Sequence, residues 1–192
     1  MILSKIINRL RIYQNSIYSA LISTFFKTSG NNFQIEYPCR VVGGECISIG
    51  NNFQSFGRLR IEAHTNHNDT AFTPVITIGD NVSINFDCHI GCINKIQIGN
   101  GVLIASNVFM TDHFHGDVSI QSISLPPSKR IVQSKGPIII EDNVWIGEGV
   151  AIMPNVRIGR NCIVGANAVV TKSFPANSVI GGVPAKLIKI IE

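Results

Sequence analysis

The sequence predicts an all-β solenoid: a parallel β-helix of about five to six coils, carrying an N-terminal amphipathic helix and one long loop. Three observations lead there. Apolar residues recur every six positions, Gly and Asn punctuate the sixes at set places, and aliphatics dominate a chain that carries little charge. From 140 to 174 the chain reads IEDNVW IGEGVA IMPNVR IGRNCI VGANAV VTKSF. Ile140, Ile146, Ile152, Ile158, Val164 and Val170 open the blocks, and Val144, Val150, Val156, Cys162, Ala168 and Phe174 hold the fifth places. A helix would show apolar recurrence near 3.6 and a lone strand near 2. A sustained six is the mark of a hexapeptide β-helix, in which three blocks make one turn of a triangular prism.

The residue types suit that shape. β-branched Ile and Val at the first place fill a pleated wall. Gly at the second place (147, 159, 165) and Asn at the fourth (143, 155, 161, 167) tolerate the tight or left-handed backbone of a corner. The fifth place also looks inward, so it carries small side chains.

Composition supports a one-dimensional core. The chain has 192 residues, which is one domain or one domain with an appendage, and 32 of them are Ile against only 15% charged. The five cysteines (39, 46, 88, 92, 162) lack framework spacing. Cys88 and Cys162 fall at inward fifth places and read as small buried hydrophobes in a reducing compartment. Cys88, His89 and Cys92 have no second pair at zinc-like spacing, so no metal is expected. The net charge of +4 is scattered without aromatic interleaving, which argues against nucleic acid as a partner.

Residues 1–27 form a segment apart from the solenoid domain of 28–192. Leu3, Ile6, Ile7, Leu10, Tyr13, Ile17, Leu21 and Phe25 recur at helical spacing, and the charges are Lys5, Arg9, Arg11 and Lys27. A signal peptide fits poorly, because polar residues interrupt the apolar run and no small-residue cleavage site follows. The apolar run also falls short of the roughly 20 residues a membrane span needs. Two readings stay open for this helix. Its stripe packs on the first coil or a neighbouring subunit, or it rests as a basic amphipathic helix on the inner face of a membrane, peripheral to a cytoplasmic protein.

The sixfold pattern starts at Ile35 and Val41, slips by two residues to Ile49, then continues through Ser55 and Ile61. A signature opens successive coils: ISIGNN (47–52), ITIGDN (76–81), IQIGNG (96–101), IIIEDN (138–143) and VRIGRN (156–161). Its third residues, Ile49, Ile78, Ile98, Ile140 and Ile158, are spaced by 29, 20, 42 and 18. Against an ideal 18, the excess locates excursions at about 62–75 and 112–137 and a two-residue lengthening before Ile98. Both excursions carry histidine: His64 and His67 in the first, and the run TDHFHG (111–116) in the second. Loops on rigid scaffolds are where chemistry tends to sit, and the second is too long to be mere connection.

On the hexads, TDHFHG, NVWIGEGV (143–150), GANAVVTKSFP (165–175) and GGVPAKLIK (181–189), the chain from about 35 to 192 resembles the hexapeptide-repeat acyltransferases. Within them it is most similar to sugar O-acetyltransferases of the maltose/galactoside and polysaccharide-modifying types. The resemblance implies a left-handed parallel β-helix, an exception to the right-handed crossover rule. It also implies a homotrimer with active sites between prisms, a carbohydrate acceptor and acetyl-CoA as co-substrate. It makes His113 the catalytic base, in a long catalytic loop. A sugar hydroxyl attacks a thioester well only as its proton leaves, and an imidazole suits that task near neutral pH. His115 is expected to orient substrate or share proton handling, and Asn85 to contact the acceptor. Asp112, as the sequence neighbour of His113, is expected to be badly placed to orient its ring.

The same match puts Gly147 and Ala166 beside the pantetheine arm and counts Trp145 among the cofactor-binding residues. Thr171 and Lys172 are expected near the pantetheine and phosphates, and Lys186 and Lys189 near the nucleotide phosphates. The chain departs from the maltose/galactoside type in Glu148, where a small hydroxyl residue is usual, and in Lys where Arg is frequent. It also lacks that type's helical N-terminal segment, which tilts the acceptor toward a polysaccharide or glycan precursor. The rival in chemistry is N-acetylation of an amino sugar on the same scaffold. A zinc hydratase would need three His ligands including an H-x4-H pair, which His89, His113 and His115 do not give. A structural solenoid would have no use for the TDH loop or the VPAK tail.

Overall fold

The computed structural model describes residues 2–192. Helix α1 (Ile2–Ser23) leads into a prism with three parallel faces. The first face stacks six strands, from Thr28–Ser29 to Arg157–Ile158. The second runs from Gln34–Ile35 to Ser178–Gly181 and ends in an antiparallel partner, Lys186–Ile190. The third stacks six, from Arg40–Val42 to Val169–Val170. That makes six coils and the start of a seventh.

The signature isoleucines form one ladder: Ile49, Ile78, Ile98, Ile140 and Ile158 pair in register down the first face, and Phe174 bridges to Ile158. Ile35, Ser55, Ile84, Ile104, Ile146, Val164 and Ile180 do the same on the second. Val41, Ile61, Ile90, Met110, Ile152 and Val170 line the third. All of these but Val41 are buried, as are the fifth-place Val144, Val150, Val156, Cys162 and Ala168. Asn143, Asn155, Asn161 and Asn167 hold φ between 57 and 65°, the left-handed corner that their short polar side chains tolerate.

Every departure from the six-residue period falls at one corner, where the third face turns into the first. The slip after Val41 is a 3-10 turn, Gly44–Cys46. The first excursion is a small hairpin, Asn66–His67 with Thr70–Ala71. The lengthening before Ile98 lies between the strands His89–Cys92 and Lys95–Ile98. The second excursion is a hairpin, His113–His115 with Val132–Ser134, whose tip carries a four-residue helix, Ile120–Ile123. Insertions at the same corner of successive coils must stack on one another, and that register builds the site.

Helix α1 does not pack through its apolar stripe. Leu3, Ile7, Leu10, Tyr13 and Leu21 are all more than half exposed. The opposite face of its last turns packs instead: Tyr18 and Ile22 lie against the core. The buried Ser19 hydroxyl donates to Ile35 O (3.0 Å) and accepts from Ile35 N (2.9 Å). The reason is polar, since the first coil presents an unpaired strand edge and Ser19 closes it. Among the described residues no helix is long and apolar enough to cross a membrane.

Candidate active site

The two hairpins and the third face enclose a cavity of about 310 Å³, and all five histidines of the chain line it: His64, His67, His89, His113 and His115. The rings of His64 and His113 lie 6.1 Å apart, edge to face, and those of His67 and His115 5.3 Å apart. Arg40, Arg60 and the buried Glu62 complete one wall.

His113 is held by Asp112, against the expectation from their adjacency. Asp112 is fully buried, and its carboxylate turns back under the preceding coil. Its Oδ1 accepts from Ile93 N (2.9 Å), its Oδ2 from Asn94 N (2.8 Å) and the Cys92 thiol (3.2 Å). Those two amides belong to the lengthened turn between the strands ending at Cys92 and starting at Lys95. With the carboxylate anchored there, the break in strand between Thr111 and His113 brings the ring back over it, and His113 Nδ1 sits 3.1 Å from Oδ1. Burial pushes the Asp112 carboxyl up, but the His113 bond and the two backbone N–H groups outweigh it and hold the group below its ordinary range. An ionised carboxylate can only accept, so Nδ1 carries the proton and Nε2 is left as the basic nitrogen. Thr111 Oγ1, also 3.1 Å from Nδ1, lies against the same side of the ring.

Gly91 makes room for this. It occupies the row Glu62–Gly91–Thr111 on the third face. A Cβ there would stand 3.3 Å from His113 Cε1 and 3.5 Å from His89 Nε2. Glu62 ties the opposite wall, accepting from Arg40 Nε (2.6 Å) and Arg60 Nη2 (3.0 Å), with His89 Nε2 at 3.1 Å and His64 Nε2 at 3.7 Å. Burial raises the Glu62 carboxyl, and the Arg40 and Arg60 guanidiniums more than reverse that. His64, His89 and His115 are all pushed below the ordinary imidazole value, first by burial and then by neighbouring cations and histidines.

Sequence reasoning missed Asp112, Gly91, Glu62, Arg40, Arg60 and the place of His89. The available signal was the common corner of both excursions, which sets 62–67 and 111–115 on adjacent walls. Cys88 and Cys92 do not converge on His89. Cys88 donates inward to Ala105 O (3.1 Å), and the Cys92 thiol is engaged by Asp112.

Residues 137–172 match the family described as Bacterial transferase hexapeptide (six repeats). Over 81% of this chain and 77% of the relative, the sequence is 41% identical to WbbJ of Escherichia coli (strain K12), whose name assigns it provisionally as a lipopolysaccharide biosynthesis O-acetyl transferase. The chain belongs to the hexapeptide-repeat transferases. It also resembles the structure of a galactoside acetyltransferase in complex with coenzyme A, with TM-score 0.59 and 33% identity, covering 90% of this chain and 69% of that one. A variant of AntD, an N-acyltransferase from Bacillus cereus bound to dTDP-4-amino-4,6-dideoxyglucose and coenzyme A, aligns at TM-score 0.75 and 25% identity, over 90% and 88% of the two chains. The prism is thus a left-handed β-helix. The protein is an acyltransferase that uses acetyl-CoA, within a sugar-acetylating family.

In this hexapeptide-repeat acetyltransferase most of the residues matched to the donor lie away from the histidine corner. Asn85, Ala105, Gly147 and Gly165 follow one another along the corner between the second and third faces, each amide bonded to the next coil. Ala166 is exposed beside Gly147. Gly147 is dictated by stacking, because a Cβ would meet Ala166 N at 2.7 Å. Trp145, half exposed, shares a lateral row with Ile163, Val179 and Lys189. Lys186 follows Ala185, whose amide bonds Val169 O. Small residues at a corner, an exposed indole and nearby ammonium groups suit a thioester arm and phosphates. Thr171 and Lys172 are exposed where the third face turns into the first, the edge that carries the histidine hairpins, with Lys172 Nζ over the Phe174 ring (5.7 Å). Asn85 does not line the histidine cavity, and its side-chain amide donates to Ile104 O (3.0 Å). Glu148 accepts from Asn107 (3.2 Å).

Proposed function

We propose that the enzyme moves acetyl directly from acetyl-CoA to a sugar hydroxyl of a polysaccharide, oligosaccharide or glycan precursor, with His113 as general base. One observation carries the reading: a buried, ionised Asp112 holds the Nδ1 proton of His113 and leaves Nε2 free in a cavity beside the prism. The acceptor hydroxyl gives its proton to Nε2 as its oxygen attacks the thioester carbonyl. The C–S bond then breaks, and the proton passes to the departing CoA sulfur. Asp112 stays charged and stabilises the imidazolium meanwhile. His115 orients the acceptor, and Asn85 contacts it from the adjacent prism.

The histidine cavity and most of the residues matched to the donor sit at different corners of one chain, with Thr171 and Lys172 on the histidine edge. A homotrimer, by setting one prism's corner against its neighbour's, would complete the site. Trp145, Gly147, Ala166, Thr171, Lys172, Lys186 and Lys189 would then take the donor. The enzyme works in the cytoplasm on polysaccharide biosynthesis, with α1 touching the inner face of the membrane through its exposed stripe.

N-acetylation of an amino sugar is the second reading, favoured by the likeness to AntD. CoA release with hydroxyl and amino sugar acceptors separates the two, since hydroxylamine cleaves an ester product and spares an amide. In either chemistry the folded His113→Ala protein should lose about 10²–10⁴-fold in turnover, or about 3–5 kcal/mol of barrier. Near-normal transfer by that variant, with an unchanged circular-dichroism spectrum, would sink the assignment of the base.

A further inference from the structure

The histidine cavity is not isolated. It shares Arg40, Arg60 and His89 with a second cavity of about 420 Å³ on the third face, toward the first coil. That cavity shares Arg58 with a third, of about 580 Å³, one wall of which is α1. Each lies in the size range of a small-molecule site, and the shared residues set the three end to end from His113 to α1, which we read as one groove.

We infer that this groove binds a chain of several sugars, so that the acceptor is an oligosaccharide or polysaccharide rather than a single sugar. The inference rests on the sugar-acceptor reading above. Sugars offer hydroxyls at their rims and apolar C–H faces, and the groove answers both. Its ion pairs are fixed: Arg58 grips Asp87 through two bonds of 2.6 Å, and Arg40 and Arg60 hold Glu62. Locked pairs present donors and acceptors together with little net charge, which suits neutral hydroxyls better than an isolated phosphate. At the far end Tyr37, 71% exposed, offers an aromatic face, and the Phe86 ring, 38% exposed, lies beside it under the Arg58 guanidinium at 5.6 Å. Neither ring is loose. Tyr37 packs edge-on against Tyr18 of α1 at 5.3 Å, its backbone amide donates to Asn15 Oδ1 (3.4 Å), and Phe86 packs against Phe56 at 5.2 Å.

The test uses the full chain and defined oligosaccharides of one to six units built from hexoses, hexosamines and uronic acids. Two readouts are taken: acetyl transfer, as kcat/KM against chain length, and saturation-transfer NMR of binding, which needs no turnover. We expect kcat/KM to rise about ten-fold from one to four units in the accepted series, and Tyr37→Ala to remove most of that rise. Tyr37→Trp, which keeps a flat ring, should restore it. A flat length dependence, or a rise that survives Tyr37→Ala together with Phe86→Ala, overturns the groove and leaves the transfer chemistry standing. Length-dependent binding that Tyr37→Ala abolishes, without transfer to any hydroxyl, upholds the groove and overturns the chemistry. Neither binding nor transfer across the panel overturns both.

Discussion

Asp112 shows how much one buried carboxylate can decide. Two backbone amides and a thiol hold it, and it in turn sets the tautomer of the ring beside it. Asp112→Asn keeps the shape but removes the charge, so turnover should drop on the order of 10²-fold or more, while the acetyl-CoA KM changes little. Retained kcat in that variant would show that His113 needs no carboxylate. The same group enters stability. Its folded pKa is depressed, so its contribution is present above the ordinary carboxylate value of about 3.9 and is lost as pH falls through the lower folded value. His64, His89 and His115 are depressed bases, so protonation opposes the fold and stability declines as pH falls below about 6.5. Melting curves from pH 8 to 3 should therefore fall in two stages. His89→Gln should soften the upper stage and Asp112→Asn the lower. A Tm higher at pH 5 than at pH 7.5 would contradict the histidine sign, and a Tm that held from pH 5 to pH 3 would contradict the Asp112 sign.

At the scale of elements, α1 packs through Tyr18, Ser19 and Ile22 and leaves its longer apolar stripe exposed. Ser19 seals the edge of the first coil, as terminal caps must in solenoids. Removing the helix whole would unseat that cap, so its outer face is better tested in place. Ile7→Glu with Leu10→Glu alters side chains that are 55% and 57% exposed and leaves Ser19 alone. If α1 rests on anionic lipid, each nearby Lys or Arg adds about 1 kcal/mol of attraction. The unaltered protein should then sediment with anionic vesicles, less so as salt rises, and the double variant should stay in solution. Failure of both to sediment, with the variant losing its oligomer, would assign the stripe to subunit packing.

For the whole molecule, the question is how corners far apart on one prism serve one reaction. His113, the proposed base, sits where the third face meets the first, while Asn85, Gly147 and Ala166 run along the edge between the second and third. Lys172→Glu with Lys189→Glu should raise the acetyl-CoA KM and leave kcat nearly unchanged, because phosphate contacts remote from the thioester contribute uniform binding. Steady-state kinetics at varied acetyl-CoA check this. A fall in kcat at constant KM would move the donor elsewhere.

The sequence by itself determined the scaffold. A period of six leaves one way to bury the Ile and Val at the first places of the blocks, so the rungs Ile49, Ile78, Ile98, Ile140 and Ile158 could be read off before any coordinates and recur as one ladder. The same count located both excursions and, through TDHFHG, the histidine matched to the base. Only the tertiary structure decided what surrounds it. Arg40, Glu62, His89 and Asp112 are up to 72 residues apart in the chain, and no local pattern ties them. Strand register sets them on neighbouring rungs, and the gap at Gly91 admits two rings. Which face of α1 packs on its own chain was likewise not legible in the sequence. Apolar spacing shows that a helix has a stripe, but the unpaired edge at Ile35 decided which side turned inward, because burying unsatisfied backbone costs more than leaving aliphatics in water.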